Sequence, residues 1–169
     1  MRAIGARRIA RGCEEYLAKH SRRIENRRAV VVASCGGYPY DINLIQAHKS
    51  LEMAAQACTI GGTIVLLAEC RDGLGHPGFM KWFEAQDSRA LAARLREGYE
   101  VNGQTAWSLL TKAERFQIHL ISNLPDDEVR GLRMTPTRSL TDVLKGLDSD
   151  VQGFVMPQGA AVLPLPGQE

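Results

Sequence analysis

The sequence predicts an α/β fold: a mainly parallel sheet with helices on both faces, in a three-layer α/β/α (Rossmann-like) arrangement. Three observations carry this expectation. First, residues 29–33 and 63–68 are apolar runs without polar alternation, the pattern of strands buried on both faces. Second, each run is followed by a Gly-rich loop, SCGG at 34–37 and RDGLGHPG at 71–78. Third, strand-like and helix-like stretches alternate along the chain, which is the order of a parallel sheet. A chain of 169 residues is long enough for one domain with a real core.

Taken in order, residues 3–20 read as a helix, because Ile4, Ile9, Ala10, Cys13, Tyr16 and Leu17 recur near the helical period. Residues 21–28 are charged and read as a loop. The first strand follows at 29–34. A helix over 41–58 has Asp41 as its expected N-cap. Leu44, Leu51, Ala54, Ala55 and Cys58 form its core face, and Gly61-Gly62 end it in the manner of a C-cap. Residues 63–68 form the second strand, parallel to the first through a right-handed crossover. Short helices are expected at 79–83, 87–97 and 103–113, and a third strand at 115–122. Then come a helix at 125–131, a brief strand at 133–135, a helix at 139–147 and a last strand at 152–156. The organisation is thus a basic helix and linker over 1–28, an α/β domain over 29–157 and an extended, Pro- and Gly-rich tail over 158–169.

Composition excludes several classes. No apolar run approaches the roughly 20 residues of a membrane span, and the N-terminus has no apolar core of a secretory signal. Cys13, Cys35, Cys58 and Cys70 form no CxxC pair and read as reduced thiols of a cytoplasmic protein. The net charge of +2 hides an uneven distribution, since residues 1–28 hold nine Arg or Lys against Glu14, Glu15 and Glu25. No aromatic platform interleaves these charges, which argues for a solvated helix face and against a nucleic-acid-binding arm.

The candidate site lies where the first strand meets its helix. Ligands of open parallel sheets bind beyond the carboxyl ends of the strands, and both Gly-rich loops are expected to face one crevice there. Gly36, Gly37 and Tyr38 belong to the first loop, and His76 to the second. On the helix, Gln46 and Lys49 are three apart and share a face, with Asn43 on much the same side. An ammonium beside a carboxamide suits a small carboxylate, and a plain surface lysine is the alternative. Trp107 either packs on a ligand or fills the core. The glycine loops lack the GxGxxG order and any Walker A lysine. No GxSxG surrounds Ser34 and Cys35, and His20, His48, His76 and His119 have no metal-ligand spacing.

The segment ASCGGYPYDINLIQAHKSLEMAAQACTIGGTIVLLAECRDGLG resembles the C-terminal domain of the nickel-pincer-dependent lactate racemase family. The match runs densely over 29–83 and more loosely through GQTAW and VMPQGAAVLPLP. The resemblance implies a 2-hydroxy-acid racemase or epimerase whose active site lies between two domains. The nickel-pincer nucleotide and the acid–base histidines would then belong to an N-terminal domain, fused upstream or supplied by another chain. Under that resemblance this chain carries no catalytic residue and no metal ligand, and Gln46 and Lys49 hold the carboxylate of a small 2-hydroxy acid. Ile45 stands where some lactate-acting members carry tyrosine, so the particular acid stays open. A stand-alone domain that captures a small carboxylate without chemistry is the alternative.

Overall fold

The structure is a computed structural model that describes residues 6–167. The first helix, α1 (Ala6–His20), leads into β1 (Ser21–Ile24), β2 (Arg28–Ser34), α2 (Leu44–Ala57) and β3 (Cys58–Leu67). A 3-10 helix (Met80–Glu84), α3 (Ser88–Glu97) and α4 (Gly103–Ala113) precede β4 (Gln117–Ile121). Then come α5 (Asp126–Gly131), β5 (Thr135–Pro136), α6 (Leu140–Lys145) and β6 (Gly153–Met156). A 3-10 turn (Gly159–Ala161) and β7 (Leu163–Pro166) end the described chain.

Five strands form one sheet in the order β5-β4-β3-β2-β6, and every neighbouring pair is parallel. The α/β fold read from the alternating pattern is therefore the fold observed. From β2 the chain steps outward through β3, β4 and β5, then returns to the other side of β2 as β6. Right-handed crossovers put α2 to α5 on one face and α6 on the other. The first face holds the core. Val31, Ala33, Ile64, Leu66, Ile118 and Leu120 meet Leu44, Leu51, Leu91, Leu109, Phe79 and Trp82 there, all within one buried cluster. Burying each such leucine contributes on the order of 2 kcal/mol. The second face is thinner: Val65 and Val143 are buried outside that cluster, and Val155 is 74 % exposed.

Several local expectations are corrected. The segment after α1 is not a loop: β1 pairs in parallel with β7, Ser21 opposite Leu163 and Ile24 opposite Pro166. The tail therefore returns to the start of the chain as a strand. The helix begins later than expected, and its N-cap is Asn43, whose side-chain oxygen accepts from the Gln46 N–H. Asp41 is instead buried below the loop. The 115–122 strand is shorter, the 133–135 strand shifts to Thr135–Pro136, and the part of the first helix expected at residues 3–5 lies outside the described residues. Gly61-Gly62 do not end the helix, because Cys58 already turns into extended backbone and opens β3. The glycines form an irregularity in that strand: Arg28 pairs with Cys58, but Val30 pairs with Thr63. A Cβ on Gly62 would lie 2.6 Å from the Ala29 carbonyl oxygen, so only glycine fits against β2 there.

Candidate functional site

The strand order reverses between neighbouring β2 and β6: α2 leaves β2 on one face, and α6 enters β6 from the other. This is the switch point at which ligands of open parallel sheets bind. The loop after β2 turns sharply through Gly36 and Gly37, both at φ above +80°, a conformation that side chains other than glycine adopt at a cost. Gly36 packs on the turn after β6, since a Cβ there would lie 3.3 Å from Gln158 Cγ. Tyr38 projects outward, 63 % exposed, with the Arg71 guanidinium 4.4 Å from its ring centroid.

The second Gly-rich loop runs alongside the start of α2. The Cys70 N–H donates to the Asp41 carbonyl at 2.8 Å and the Asp72 N–H to the Ile42 carbonyl at 2.8 Å. In the other direction, the Leu44 N–H donates to Gly73 O at 3.1 Å and the Ile45 N–H to Leu74 O at 3.3 Å. Gln46 and Ala47 donate to the side-chain and main-chain oxygens of Asn43. The donors of the first helical turn are thus all engaged. An anion at this helix must be held by side chains, not by the free N–H groups that usually bind anions at helix starts.

Gln46 and Lys49 are brought together as expected. Lys49 Nζ donates to Gln46 Oε1 at 2.7 Å. They line a crevice of about 370 Å3 with Pro39, Tyr40, Ile42, Asn43 and Ala160. Lys49 is the one charged residue of that lining, and no carboxylate pairs with it among the described residues. The lysine can only donate, so the Gln46 oxygen must face it. This leaves the Gln46 NH2 group and the remaining ammonium N–H bonds to point at a ligand.

The other predicted residues are distributed around this crevice. His76 lines a neighbouring cleft with Asn43, Asp72 and Glu128, and its Nδ1 accepts from the Gly78 N–H at 3.2 Å. Gly37 faces a different crevice, described next. Trp107 is 39 % exposed on α4 and lines none of the crevices described here. Ser108 next to it donates to Glu52 of α2, and the Lys112–Glu52 ion pair at 2.5 Å fastens α4 to α2.

Sequence reasoning missed a second crevice at the carboxyl ends of β2, β3 and β4, with a volume of about 480 Å3. Ser34, Gly37, Asp41, Glu69, Ser122, Asn123, Thr137 and Arg138 contribute to its wall. Asp41 is 7 % exposed. Its Oδ2 accepts from the Glu69 N–H at 3.2 Å, while Oδ1 is buried without a hydrogen-bond partner. The signal for this crevice was the position of Glu69 just beyond a strand, which the reading as a helix cap at Asp41 obscured. The thiols nearby are poor nucleophiles. Burial pushes Cys70 up to about 12, and burial with the Asp41 charge raises Cys35 against a hydrogen bond from Ser50. Among the described residues no three His, Cys, Asp or Glu side chains come together to hold a metal ion. No helix among them is long and apolar enough to cross a membrane.

The family model of the lactate racemase C-terminal domain matches residues 24–163. The lactate racemase of Thermoanaerobacterium thermosaccharolyticum is 32 % identical over 144 residues, which is 79 % of this chain and 34 % of that protein. That of Lactiplantibacillus plantarum is 42 % identical over 50 residues, 30 % of this chain and 12 % of that protein. The apoprotein structure of the Thermoanaerobacterium enzyme superposes with a TM-score of 0.85 at 27 % identity, over 95 % of this chain and 40 % of that one. A Thermotoga maritima protein shares the fold at a TM-score of 0.68 and 17 % identity, over 95 % of this chain and 42 % of that one. The chain therefore spans well under half of each relative's length. With the family model matched over residues 24–163, the chain belongs to the lactate racemase C-terminal domain family.

Proposed function

We propose that this chain is the substrate-holding half of a 2-hydroxy-acid racemase or epimerase of the lactate racemase type, and that Gln46 and Lys49 bind the substrate carboxylate. The observation that carries the reading is the 2.7 Å hydrogen bond from Lys49 to Gln46 on a crevice wall with no other charged residue. The ammonium supplies charge and the carboxamide supplies a second donor at a fixed angle. A carboxylate has two oxygens to receive them.

In this reading the nickel-pincer nucleotide, which exchanges a hydride with the substrate in such enzymes, sits in an N-terminal domain. The described residues offer no ligand set for its metal. The part of this chain is to bind and orient. Lys49 and Gln46 fix the carboxylate, and Tyr40, 61 % exposed in the same lining, forms a rim that a second domain can cover to exclude water. In this reading acid–base work belongs to the partner domain.

The test is to combine the chain with a cofactor-loaded N-terminal domain of the family and follow interconversion of D- and L-lactate and related 2-hydroxy acids. Lys49→Ala is expected to weaken carboxylate binding about tenfold to a hundredfold, the loss of a charge-assisted hydrogen bond. An unchanged KM and rate in that variant would overturn the assignment. Calorimetry on the chain alone separates the stand-alone reading, because tight lactate binding without any partner domain would favour capture without chemistry.

A further inference from the structure

We propose that the crevice at the carboxyl ends of β2, β3 and β4 is a second binding site, for the vicinal hydroxyls of a neutral sugar such as a ribose. This site is independent of the Gln46–Lys49 crevice. The loop over residues 36–42 is a wall between the two: Gly37 and Asp41 face one side, while Pro39, Tyr40 and Ile42 face the other.

The polar groups of this crevice select the ligand. Asp41 and Glu69 are carboxylates in its wall. Arg138 is already engaged, donating to Asp126 Oδ1 at 2.5 Å and to the Ser122 carbonyl at 3.3 Å. The two carboxylates of the wall against one guanidinium leave a formal charge of −1, so phosphate and carboxylate ligands are repelled. The donors that a phosphate would need at the start of α2 are consumed by Gly73, Leu74 and Asn43. A dehydrated metal ion is disfavoured too, since among the described residues no third acidic, His or Cys ligand joins the two carboxylates. Hydroxyl groups remain, and they satisfy the wall in both directions. They donate to carboxylate oxygens and accept from neutral donors.

Those neutral donors are in place. The Ser34 hydroxyl accepts from the Gly36 N–H at 3.0 Å, and that of Ser122 accepts from the Leu124 N–H at 3.2 Å. Each therefore keeps its own proton to donate. The Asn123 side chain is exposed at the rim. Glu69 has the placement that parallel-sheet folds use for this purpose: an acidic residue just past the strand that follows a Gly-rich turn holds ribose hydroxyls. Here β2 ends in the Gly36-Gly37 turn, and Glu69 lies two residues beyond the end of β3. Asp41 braces it from below, because its Oδ2 accepts from the Glu69 N–H. Asp41 is a positioning residue, and Glu69 makes the contact.

The experiment is a titration of the 169-residue chain, followed by amide chemical shifts in NMR. The probes are methyl β-D-riboside, its 2-deoxy analogue, adenosine, inorganic phosphate and magnesium chloride. The riboside is expected to move the amides of Glu69, Ser122 and Asn123 saturably, and the deoxy analogue to bind at least about tenfold more weakly. Glu69→Gln and Asn123→Ala are each expected to weaken the riboside about tenfold, whereas Lys49→Ala leaves it unchanged. That last arm keeps the outcome separate from the carboxylate reading. Adenosine binding more tightly than the riboside assigns the sugar to a nucleoside, and equal binding assigns it to a free sugar. Equal binding of riboside and deoxyriboside, saturable shifts with phosphate or magnesium only, or no saturable shift at all would each overturn the proposal.

Discussion

Two crevices share the 36–42 loop as a wall, and they differ in how they are built. The first is mounted on a helix. Its only charge is Lys49, held by a side-chain partner three residues away. The second is mounted on strand ends. Its polar groups come from Ser34, Glu69, Ser122 and Arg138, on segments far apart in the chain. The helix crevice is positive and the strand crevice negative, a few residues apart on one loop. On the two proposals above, charge of opposite sign on the two sides would let one loop serve an anion and a hydroxyl-bearing ligand without either site accepting the other's ligand. The same contrast explains why one site is visible in a local motif and the other is not.

The comparison can be broken by substitution. The largest expected effect is that of Lys49→Ala: a loss of about 1.5–3 kcal/mol in carboxylate binding, with the amides of Glu69 and Asn123 unmoved. Movement of both crevices together would show that they are one site. Next is Gly75→Ala. Gly75 lies at φ +93, and its new Cβ would sit 2.7 Å from Asn43 Cγ. The backbone strain alone is about 1–2 kcal/mol, and the clash displaces the cap of α2. Chemical denaturation should show the loss, and titration should show weaker carboxylate binding because Gln46 and Lys49 ride on that helix.

Asn43→Ala removes the cap directly and is expected to cost about 1 kcal/mol. Combined with Gly75→Ala it should cost less than the sum, because both act on one hydrogen bond. An additive double variant would mean that the second loop supports the helix by other contacts. The smallest effect concerns His119, on the thin face of the sheet, where Nδ1 lies 3.1 Å from Thr137 Oγ1. Burial lowers its pKa below the usual 6.5. The unfolded chain therefore binds this proton more readily than the folded one. The neutral ring's contribution is complete above pH 6.5 and is lost as pH falls from there toward the folded value. Unfolding midpoints of His119→Gln should fall less than those of the unsubstituted chain across this window, and equal slopes would remove His119 from the account.

Much of the architecture was legible. The runs VVVA and TIVLLA carry no polar alternation, so both faces of their strands had to be covered, and a parallel sheet follows. Gln46 and Lys49 were legible because helical spacing brings residues three apart together whatever lies around them. Other features were not. The strand β1 reads SRRI and β7 reads LPLP, neither of which looks like a strand by composition. They pair across almost the whole chain, and only the fold brings their backbones together. Asp41 and Asn43 are both good N-cap types, and local sequence does not choose between them. The choice falls to Asn43 because the second Gly-rich loop bonds to Leu44 and Ile45 and draws Asp41 under it.

What the chain determined by itself is therefore whatever depends on near neighbours: the apolar strands, the helix faces, the two glycine turns and the Gln46–Lys49 pair. Tertiary structure alone decided which helix donors were spent, where Asp41 was buried, and that Ser34, Glu69, Ser122 and Thr137 meet at one crevice. The physical reason is range. Periodicity and capping act over a few residues, whereas burial of a carboxylate and convergence of strand ends depend on the order in which a sheet places its strands, and that order here is β5-β4-β3-β2-β6.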